Sequence, residues 1–202
     1  MILLGVNLII AGVGGQGSIL LSRIIADAVI AGGRQTERVR VGETFGAAMR
    51  GGAVSSHVRI GEVEGPLVPR GACDLIIGLE PLETLRIGAE YLARGGTVVM
   101  NTKPIPPTEV KVGMAKYPST ESIARALEAI GGRVLVVDGD RLAAIAGSPR
   151  STNVVMLGAA FATGALPVDE HCLLEAIRSR VPPRTVDANL QAFKLGREAV
   201  GS

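Results

Sequence analysis

The residues best suited to chemistry near the start of the chain form a glycine-rich stretch, Gly12-Val13-Gly14-Gly15-Gln16-Gly17. It follows an apolar run at residues 7–11 and precedes an apolar, helix-like segment at residues 18–31. Glycines at its first, third and sixth positions permit a tight turn from strand to helix and expose backbone N–H groups. A helix N-terminus also carries partial positive charge, so the pattern predicts a turn able to hold a phosphate. The binding candidates here are Gly12, Gly14, Gly15, Gln16 and Gly17.

A second stretch, residues 42–52, carries one acid, one base and four glycines without a clear period. This composition predicts a loop or short helix that another backbone or a ligand approaches closely. Arg50 has a planar donor fork suited to phosphate or carboxylate, and two glycines follow it. We therefore add Glu43, Arg50, Gly51 and Gly52 to the candidate binding residues.

The sequence disfavours several kinds of catalysis within this chain. A nucleophile would need a base nearby, and the only histidines are His57 and His171. Gly17 is followed by Ser-Ile rather than Lys-Ser or Lys-Thr, which argues against a Walker-type nucleotide hydrolase. The two cysteines, Cys73 and Cys172, are far apart, so neither an iron–sulfur cluster nor a zinc site is expected. We expect no catalytic and no metal-binding residue.

Composition narrows the class of protein further. Hydrophobic residues make up 47% of the chain, enough for a sizeable core, but only 2% are aromatic. Few aromatic platforms and a net charge of +2 argue against a nucleic-acid partner. No apolar run reaches the roughly 18–20 residues that span a bilayer. We expect a cytoplasmic protein that does not contact a membrane.

Apolar strands that alternate with helices predict an α/β fold: three layers, α/β/α, around a mostly parallel, Rossmann-like sheet. We expect strands near residues 7–11, 35–41, 53–60, 74–79, 97–100 and 133–138, with a hairpin excursion at residues 61–68 and a short strand at 110–114. In parallel sheets, ligands bind at the carboxyl ends of the strands. We therefore expect five segments to lie along one edge of the sheet, which we call the rim: the glycine turn at residues 12–17, the stretch 42–52, Glu80, residues 101–103 and Asp138. Residues 1–202 are expected to form a single domain.

The glycine turn also raises the alternative of a free-standing NAD(P)- or nucleotide-binding protein. A dinucleotide-binding turn requires an acid at the end of the second strand, about 20 residues after the last glycine. Glu37 has that spacing, but it lies inside or before the strand and is followed by Arg38. A further alternative is an interaction module that binds no small molecule.

Three groups of residues carry a resemblance to a known family: Gly14-Gly15-Gln16-Gly17, then Glu43-Thr44-Phe45-Gly46 leading into Arg50-Gly51-Gly52, and the later segments 74–80 and 153–158. They resemble the gamma subunit, or gamma domain, of the 2-oxoacid:ferredoxin oxidoreductases. The similarity is greatest to the small subunit of the indolepyruvate branch.

The resemblance implies a chain that is inactive alone and works in a complex. Such a complex decarboxylates a 2-oxoacid oxidatively, with coenzyme A as acyl acceptor and ferredoxin as electron acceptor. Thiamine diphosphate and the iron–sulfur clusters are expected in larger partner subunits, while this chain helps to shape the coenzyme A cleft and binds no cofactor alone. The isolated chain is expected to form a homodimer through an apolar surface meant for that partner.

Overall fold

The structure, a computed structural model, describes residues 5–32, 38–46 and 52–201. Among these residues, strands and helices alternate along most of the chain. The strands are β1 Val6–Val13, β2 Val39–Phe45, β3 Ala53–Ile60, β4 Cys73–Gly78, β5 Leu92–Asn101 and β6 Arg133–Val137. The helices are α1 Ser18–Ala31, α2 Pro81–Tyr91, α3 Thr108–Lys111, α4 Thr120–Ile130, α5 Gly139–Ile145, α6 Thr152–Ala162, α7 Glu170–Arg180 and α8 Val186–Glu198.

The described strands form one mixed sheet in the order β2-β3-β1-β4-β5-β6. Strands β1, β4, β5 and β6 are parallel to one another. Strand β3 is antiparallel to both β1 and β2, which makes β2 run in the same direction as β1. The carboxyl ends of β1, β2, β4, β5 and β6 therefore lie along one edge of the sheet.

Helices cover both faces of the sheet, so the predicted three-layer α/β/α fold is confirmed. On one face, buried side chains such as Leu8, Ile10 and Val99 pack with residues of α1 and α5–α8. On the other face, Ile9, Ile76 and their neighbours pack with residues of α2 and α4. Strands β1 and β4 have buried side chains on both faces of the sheet, which explains why their sequences are nearly continuous apolar runs.

Helices α6 and α8 pack unusually closely on the first of these faces. A Cβ atom added to Gly158 of α6 would lie under 3.0 Å from the backbone carbonyl of Phe193 in α8. A Cβ atom added to Gly196 of α8 would meet the carbonyl of Val155 in the same way. Two glycines thus let the two helix backbones touch, which explains why α6 is buried along nearly its whole length.

Three sequence-based expectations are wrong in detail. Residues 67–68 form no returning strand; instead β2 and β3 form the hairpin, because β2 extends to Phe45. The segment expected as a strand around residues 110–114 contains the short helix α3. The spacing of apolar and charged residues predicts a helix over residues 82–94, but α2 ends at Tyr91, because residues from Leu92 onward already belong to β5. The amino-terminal part of the strand expected at residues 35–41, with Glu37, lies outside the described residues.

Candidate functional site

The glycine turn lies at the carboxyl end of β1 and leads into α1, as the sequence predicts. Gly17 is the residue before the helix and adopts a left-handed backbone conformation, with φ 84°. A side chain at Gly17 would also collide with the amide of Asn153, whose nitrogen lies 3.4 Å from the Gly17 carbonyl. Position 17 therefore requires glycine for two reasons: the left-handed backbone conformation and the close approach of α6.

Gln16 holds the glycine turn to the neighbouring strand. Its side-chain Oε1 accepts a hydrogen bond from the Val13 N–H at 2.7 Å, and its Nε2 donates to the Leu79 carbonyl at 3.0 Å. A Cβ atom on Gly12 would lie 2.7 Å from that Oε1, so a glycine at position 12 leaves room for the bridge. The two ends of the Gln16 amide thus connect the ends of β1 and β4.

A chain of side-chain hydrogen bonds continues from Leu79 across the rim. Asn101 donates to the Leu79 carbonyl at 3.2 Å and to Asp140 at 2.9 Å, and its Oδ1 accepts from the Gly139 N–H at 3.0 Å. Asp140 in turn lies 3.0 Å from the Lys103 ammonium. The ends of β1, β4, β5 and β6 are therefore joined by one polar network, and the network fixes the floor of a cleft.

We call this space the rim cleft. It has a volume of about 370 Å³ and is lined by residues that follow the strand ends and by residues at the start of α6. Its lining residues are Gly15, Gln16, Leu79, Lys103, Ile105, Asp140, Pro149, Arg150, Thr152 and Asn153. Lys103 and Arg150 give it two cations against one carboxylate, so its charge suits an anionic ligand.

A smaller space of about 260 Å³ lies on the other side of the glycine turn, between Phe45 and Ile19. We call it the Phe45 cleft, and it shares Gly15 with the rim cleft. Among the residues that the structure describes, no side chain caps the N-terminus of α1, which opens at Ser18 beside this space. Phe45 is 46% exposed, so an apolar surface borders the helix start.

The structure brings only part of the predicted binding set together. Gly15 and Gln16 line the rim cleft, whereas Gly14 and Gly17 line the Phe45 cleft. The Gly14 N–H donates to the Gly52 carbonyl at 2.9 Å, so the end of the second predicted stretch does reach the glycine turn. Glu43 lies within β2, opposite Ser56, and does not line the rim cleft. Arg50 and Gly51 lie outside the described residues.

The positions predicted after β4, β5 and β6 do lie along one edge of the sheet, because these strands are parallel. Of them, Lys103 lines the rim cleft, whereas Glu80 and Asp138 do not. Glu80 is buried, and Asp138 caps α5 by accepting the Arg141 N–H at 3.1 Å. Asp140 and Arg150 line the cleft and were missed as individual residues. Asp140 lies only two residues beyond the predicted strand end, so its position in the sequence could have identified it. Arg150 lies in the segment before α6, and no strand end in the sequence points to it.

His57 and Ser55 form a pair whose residue types could perform nucleophilic chemistry. The Ser55 hydroxyl lies 3.2 Å from Nε2 of His57, whose Nδ1 accepts the Val68 N–H at 3.2 Å. Ser55 and His57 are only 4% and 1% exposed, so a substrate has no access to them. Burial lowers the pKa of His57, with an opposing contribution from Glu90, which fits a neutral ring with a structural role.

Cys73 and Cys172 cannot supply the four thiolates of an iron–sulfur cluster. Burial raises the pKa of the Cys73 thiol to about 12, so it remains protonated. Among the described residues, no group of three or more His, Cys, Asp or Glu side chains could hold a metal ion. None of the helices in that part of the chain is long and apolar enough to cross a membrane.

Comparison with known proteins relates the whole described fold to one family. The chain matches the family described as pyruvate ferredoxin/flavodoxin oxidoreductase over residues 7–199. It is similar to indolepyruvate oxidoreductase subunit IorB of Thermococcus kodakarensis, with 42% identity over 195 residues, 96% of this chain and 95% of that protein. The IorB subunit of Archaeoglobus fulgidus is also 42% identical to this chain, in an alignment that covers 94% of this chain and 92% of that protein.

Solved structures show the same fold. The gamma subunit of keto/oxoacid ferredoxin oxidoreductase from Geobacter sulfurreducens has a TM-score of 0.68 and 25% identity, over 96% of this chain and 98% of its own. Pyruvate oxidoreductase subunit PORC from Thermotoga maritima has a TM-score of 0.70 and 21% identity, over 96% of each chain. In 2-oxoglutarate:ferredoxin oxidoreductase from Magnetococcus marinus, with a TM-score of 0.69 and 21% identity, the matched part covers 97% of this chain and 31% of that chain.

These relatives confirm the prediction of an oxidoreductase subunit and do not favour the free-standing NAD(P)-binding alternative. The sheet supplies a physical reason. In a dinucleotide-binding fold the second strand lies next to the first. Here β3 lies between them, so β2 is displaced by about 5 Å, one strand spacing. The strand order therefore differs from that of a dinucleotide-binding fold on this side of β1. The chain belongs to the pyruvate ferredoxin/flavodoxin oxidoreductase family.

Proposed function

We propose that this chain is the small subunit of a thiamine diphosphate-dependent 2-oxoacid:ferredoxin oxidoreductase, with indolepyruvate or a pyruvate-type acid as substrate. In this proposal residues 1–202 form a single gamma-type domain that contributes one wall of the coenzyme A cleft. The observation that carries the proposal is the rim cleft, a cationic space built on the glycine turn. The IorB relatives, which align over nearly their whole lengths, support the choice of indolepyruvate.

The residues of the rim cleft fit a phosphate-bearing ligand such as coenzyme A. Lys103 and Arg150 can pair with phosphate oxygens, and a Cβ atom on Gly15 would meet nothing within 4 Å, so its backbone faces open space. Coenzyme A supplies a thiol that accepts the acyl group. The polar network beneath the cleft keeps Lys103 close to Asp140, and this contact orients the ammonium before a ligand binds.

The chain's own residues do not fit the iron–sulfur clusters, and no step through them is derived for this chain. We propose that the clusters and thiamine diphosphate belong to larger partner subunits, through which electrons reach ferredoxin. Phe45, Val112 and Met114 are large apolar residues with substantial exposure, and contact with a partner would bury such side chains. Burial of exposed apolar side chains of this kind is also the reason to expect the isolated chain to pair with itself.

Charge removal in the assembled complex tests the proposal. Lys103→Met and Arg150→Met should each raise the KM for coenzyme A about 10- to 100-fold, because a charge-assisted hydrogen bond contributes about 1.5–3 kcal/mol. The KM for the 2-oxoacid should change little. Arg50→Ala should act in the same direction. Lys194→Met, on α8, is the matched control and should leave both constants unchanged. An unchanged coenzyme A KM in the Lys103 and Arg150 variants would contradict the cleft assignment.

A further inference from the structure

Glu80 is a buried carboxylate at the edge of the sheet that carries the rim cleft. It follows β4 and the cleft residue Leu79, yet it is only 1% exposed and does not line the cleft. Its Oε2 accepts the Glu83 N–H at 2.9 Å and so caps α2. Removing a carboxylate from water carries a large cost unless its oxygens are hydrogen-bonded, so the partners of the second oxygen are informative.

The second oxygen of Glu80 holds both ends of one loop. Its Oε1 accepts the Ile105 N–H at 3.0 Å and also the Tyr117 hydroxyl. The Tyr117 oxygen itself accepts the Leu82 N–H at 3.1 Å. Residues 106–116, which include α3, form the segment between these two contacts, and within it Val112 and Met114 are 61% and 81% exposed. The Glu80 side chain therefore holds the two ends of this segment together, while Val112 and Met114 within it stay largely exposed.

This contact determines where one wall of the rim cleft lies. Ile105, whose N–H is held by Glu80, lines the cleft together with Lys103, two residues earlier. The adjacent Leu79 carbonyl accepts hydrogen bonds from Gln16 and Asn101 and thereby fixes the floor. The Leu79–Glu80 pair thus anchors the floor through a backbone carbonyl and the wall through a side chain.

We propose that Glu80 and Tyr117 are positioning residues for the coenzyme A cleft: they hold the Lys103–Ile105 wall at its working distance from the glycine turn. Neither residue touches the ligand. The proposal rests on the proposed function, because it assumes that the rim cleft takes the acyl acceptor. A ligand binds more weakly when the groups that contact it are no longer held in place before binding, so loosening this wall should raise the KM for coenzyme A.

The test is Tyr117→Phe in the complex assembled with the larger subunit, because this change removes the hydroxyl and keeps the ring. We expect the KM for coenzyme A to rise about three- to tenfold while kcat at saturating coenzyme A stays within about twofold of wild type. Hydrogen–deuterium exchange of residues 103–117 should become faster, with β1 unchanged. Glu80→Gln should give the same split between KM and kcat. Tyr91→Phe, which alters a tyrosine that packs against His57, is the matched control.

The outcomes separate the two proposals. A wild-type complex without coenzyme A dependence would overturn the proposed function and this inference together. With a coenzyme A-dependent wild type, an unchanged KM in both Tyr117→Phe and Glu80→Gln would overturn the inference alone, whether or not exchange becomes faster. A fall in kcat with an unchanged KM would also overturn it, because that result describes a residue needed for stability and not for the position of the wall.

Discussion

At the residue scale, Gln16 explains why the glycine turn is more specific than a set of three spaced glycines. Its amide has a defined orientation, since Oε1 must accept from Val13 and Nε2 must donate to Leu79. A glutamate has nearly the same shape but no donor. Its second oxygen would face the Leu79 carbonyl, which is the acceptor of the present hydrogen bond.

We therefore expect Gln16→Glu to lower the free energy of unfolding of the isolated chain by about 1–3 kcal/mol, because one hydrogen bond is lost and two acceptor oxygens face each other. Urea unfolding monitored by circular dichroism measures this change. Gln191→Glu on α8 is the matched control, because it adds the same charge at an exposed position. Equal losses in the two variants would show that the Gln16 bridge does not stabilise the turn.

His57 gives the molecule a pH dependence whose sign follows from its burial. Its pKa is lowered in the folded state by burial, while Glu90 opposes the shift; in the unfolded chain the pKa returns to about 6.5. Below that pH the unfolded state binds more protons, so the free energy of unfolding should fall as the pH falls through about 6.5. Protonation would also put a proton on Nδ1, which now accepts the Val68 N–H.

Urea unfolding of the wild type and of His57→Gln between pH 8 and pH 5.5 measures this effect. The slope of stability against pH should be smaller in His57→Gln, whatever its absolute stability. His171→Gln, which replaces the exposed histidine of α7, is the matched control. A wild-type stability that does not change across this range would contradict a buried neutral His57.

The sequence could identify the candidate residues whose role depends on local structure. The glycine turn and Lys103 each lie directly after a strand, and parallel strands bring such positions to one edge. It could not place Arg150, which reaches the rim cleft through the loop before α6. It could not show that Glu80 turns inward, because this depends on donors from Ile105 and Tyr117, 25 and 37 residues away.

At the scale of elements, the close packing of α6 and α8 depends on two glycines. A methyl group at Gly158 or Gly196 would meet backbone, which cannot rotate away as a side chain can. The helices would have to separate, and α6 is buried from Asn153 to Ala160. This packing also supports the rim cleft, because Asn153 at the start of α6 contacts the glycine turn.

Gly158→Ala should therefore destabilise the chain by about 1–3 kcal/mol or more, although alanine is the better helix former. Gly65→Ala is a suitable control, because a Cβ atom there meets nothing within 4 Å. Thermal unfolding of the two variants beside the wild type checks the difference. A Gly158→Ala variant as stable as wild type would show that the helices can separate at little cost.

Helices and strands could be predicted where the spacing of hydrophobic residues agreed with a glycine or serine at the end of the element. Helix α4 begins after Ser119, whose side chain accepts the Ser122 N–H, as expected of a capping serine. The hairpin was misplaced because residues 42–45 contain a glycine and a charged residue, although they pair with β3 at the sheet edge. Pairing of this kind depends on the partner strand, which a local pattern does not reveal.

At the scale of the whole molecule, the fold places a cationic rim cleft near exposed apolar residues such as Phe45, and the two cysteines of the chain are too few to hold an iron–sulfur cluster. The position of β3 between β1 and β2 separates this fold from dinucleotide-binding proteins with a similar glycine turn. The family and the three layers could be predicted because the motifs extend along most of the chain. The mixed order of strands could not, since β3 returns antiparallel through a pairing set by tertiary structure.

The most direct test of the proposed function is reconstitution with the larger thiamine- and cluster-bearing subunit. The measurement is 2-oxoacid- and coenzyme A-dependent reduction of ferredoxin, with indolepyruvate and pyruvate as substrates. We expect no turnover by either chain alone and restored turnover when the two are combined. Full activity of the larger subunit alone, or NAD(P)-dependent hydride transfer by this chain alone, would contradict the assignment.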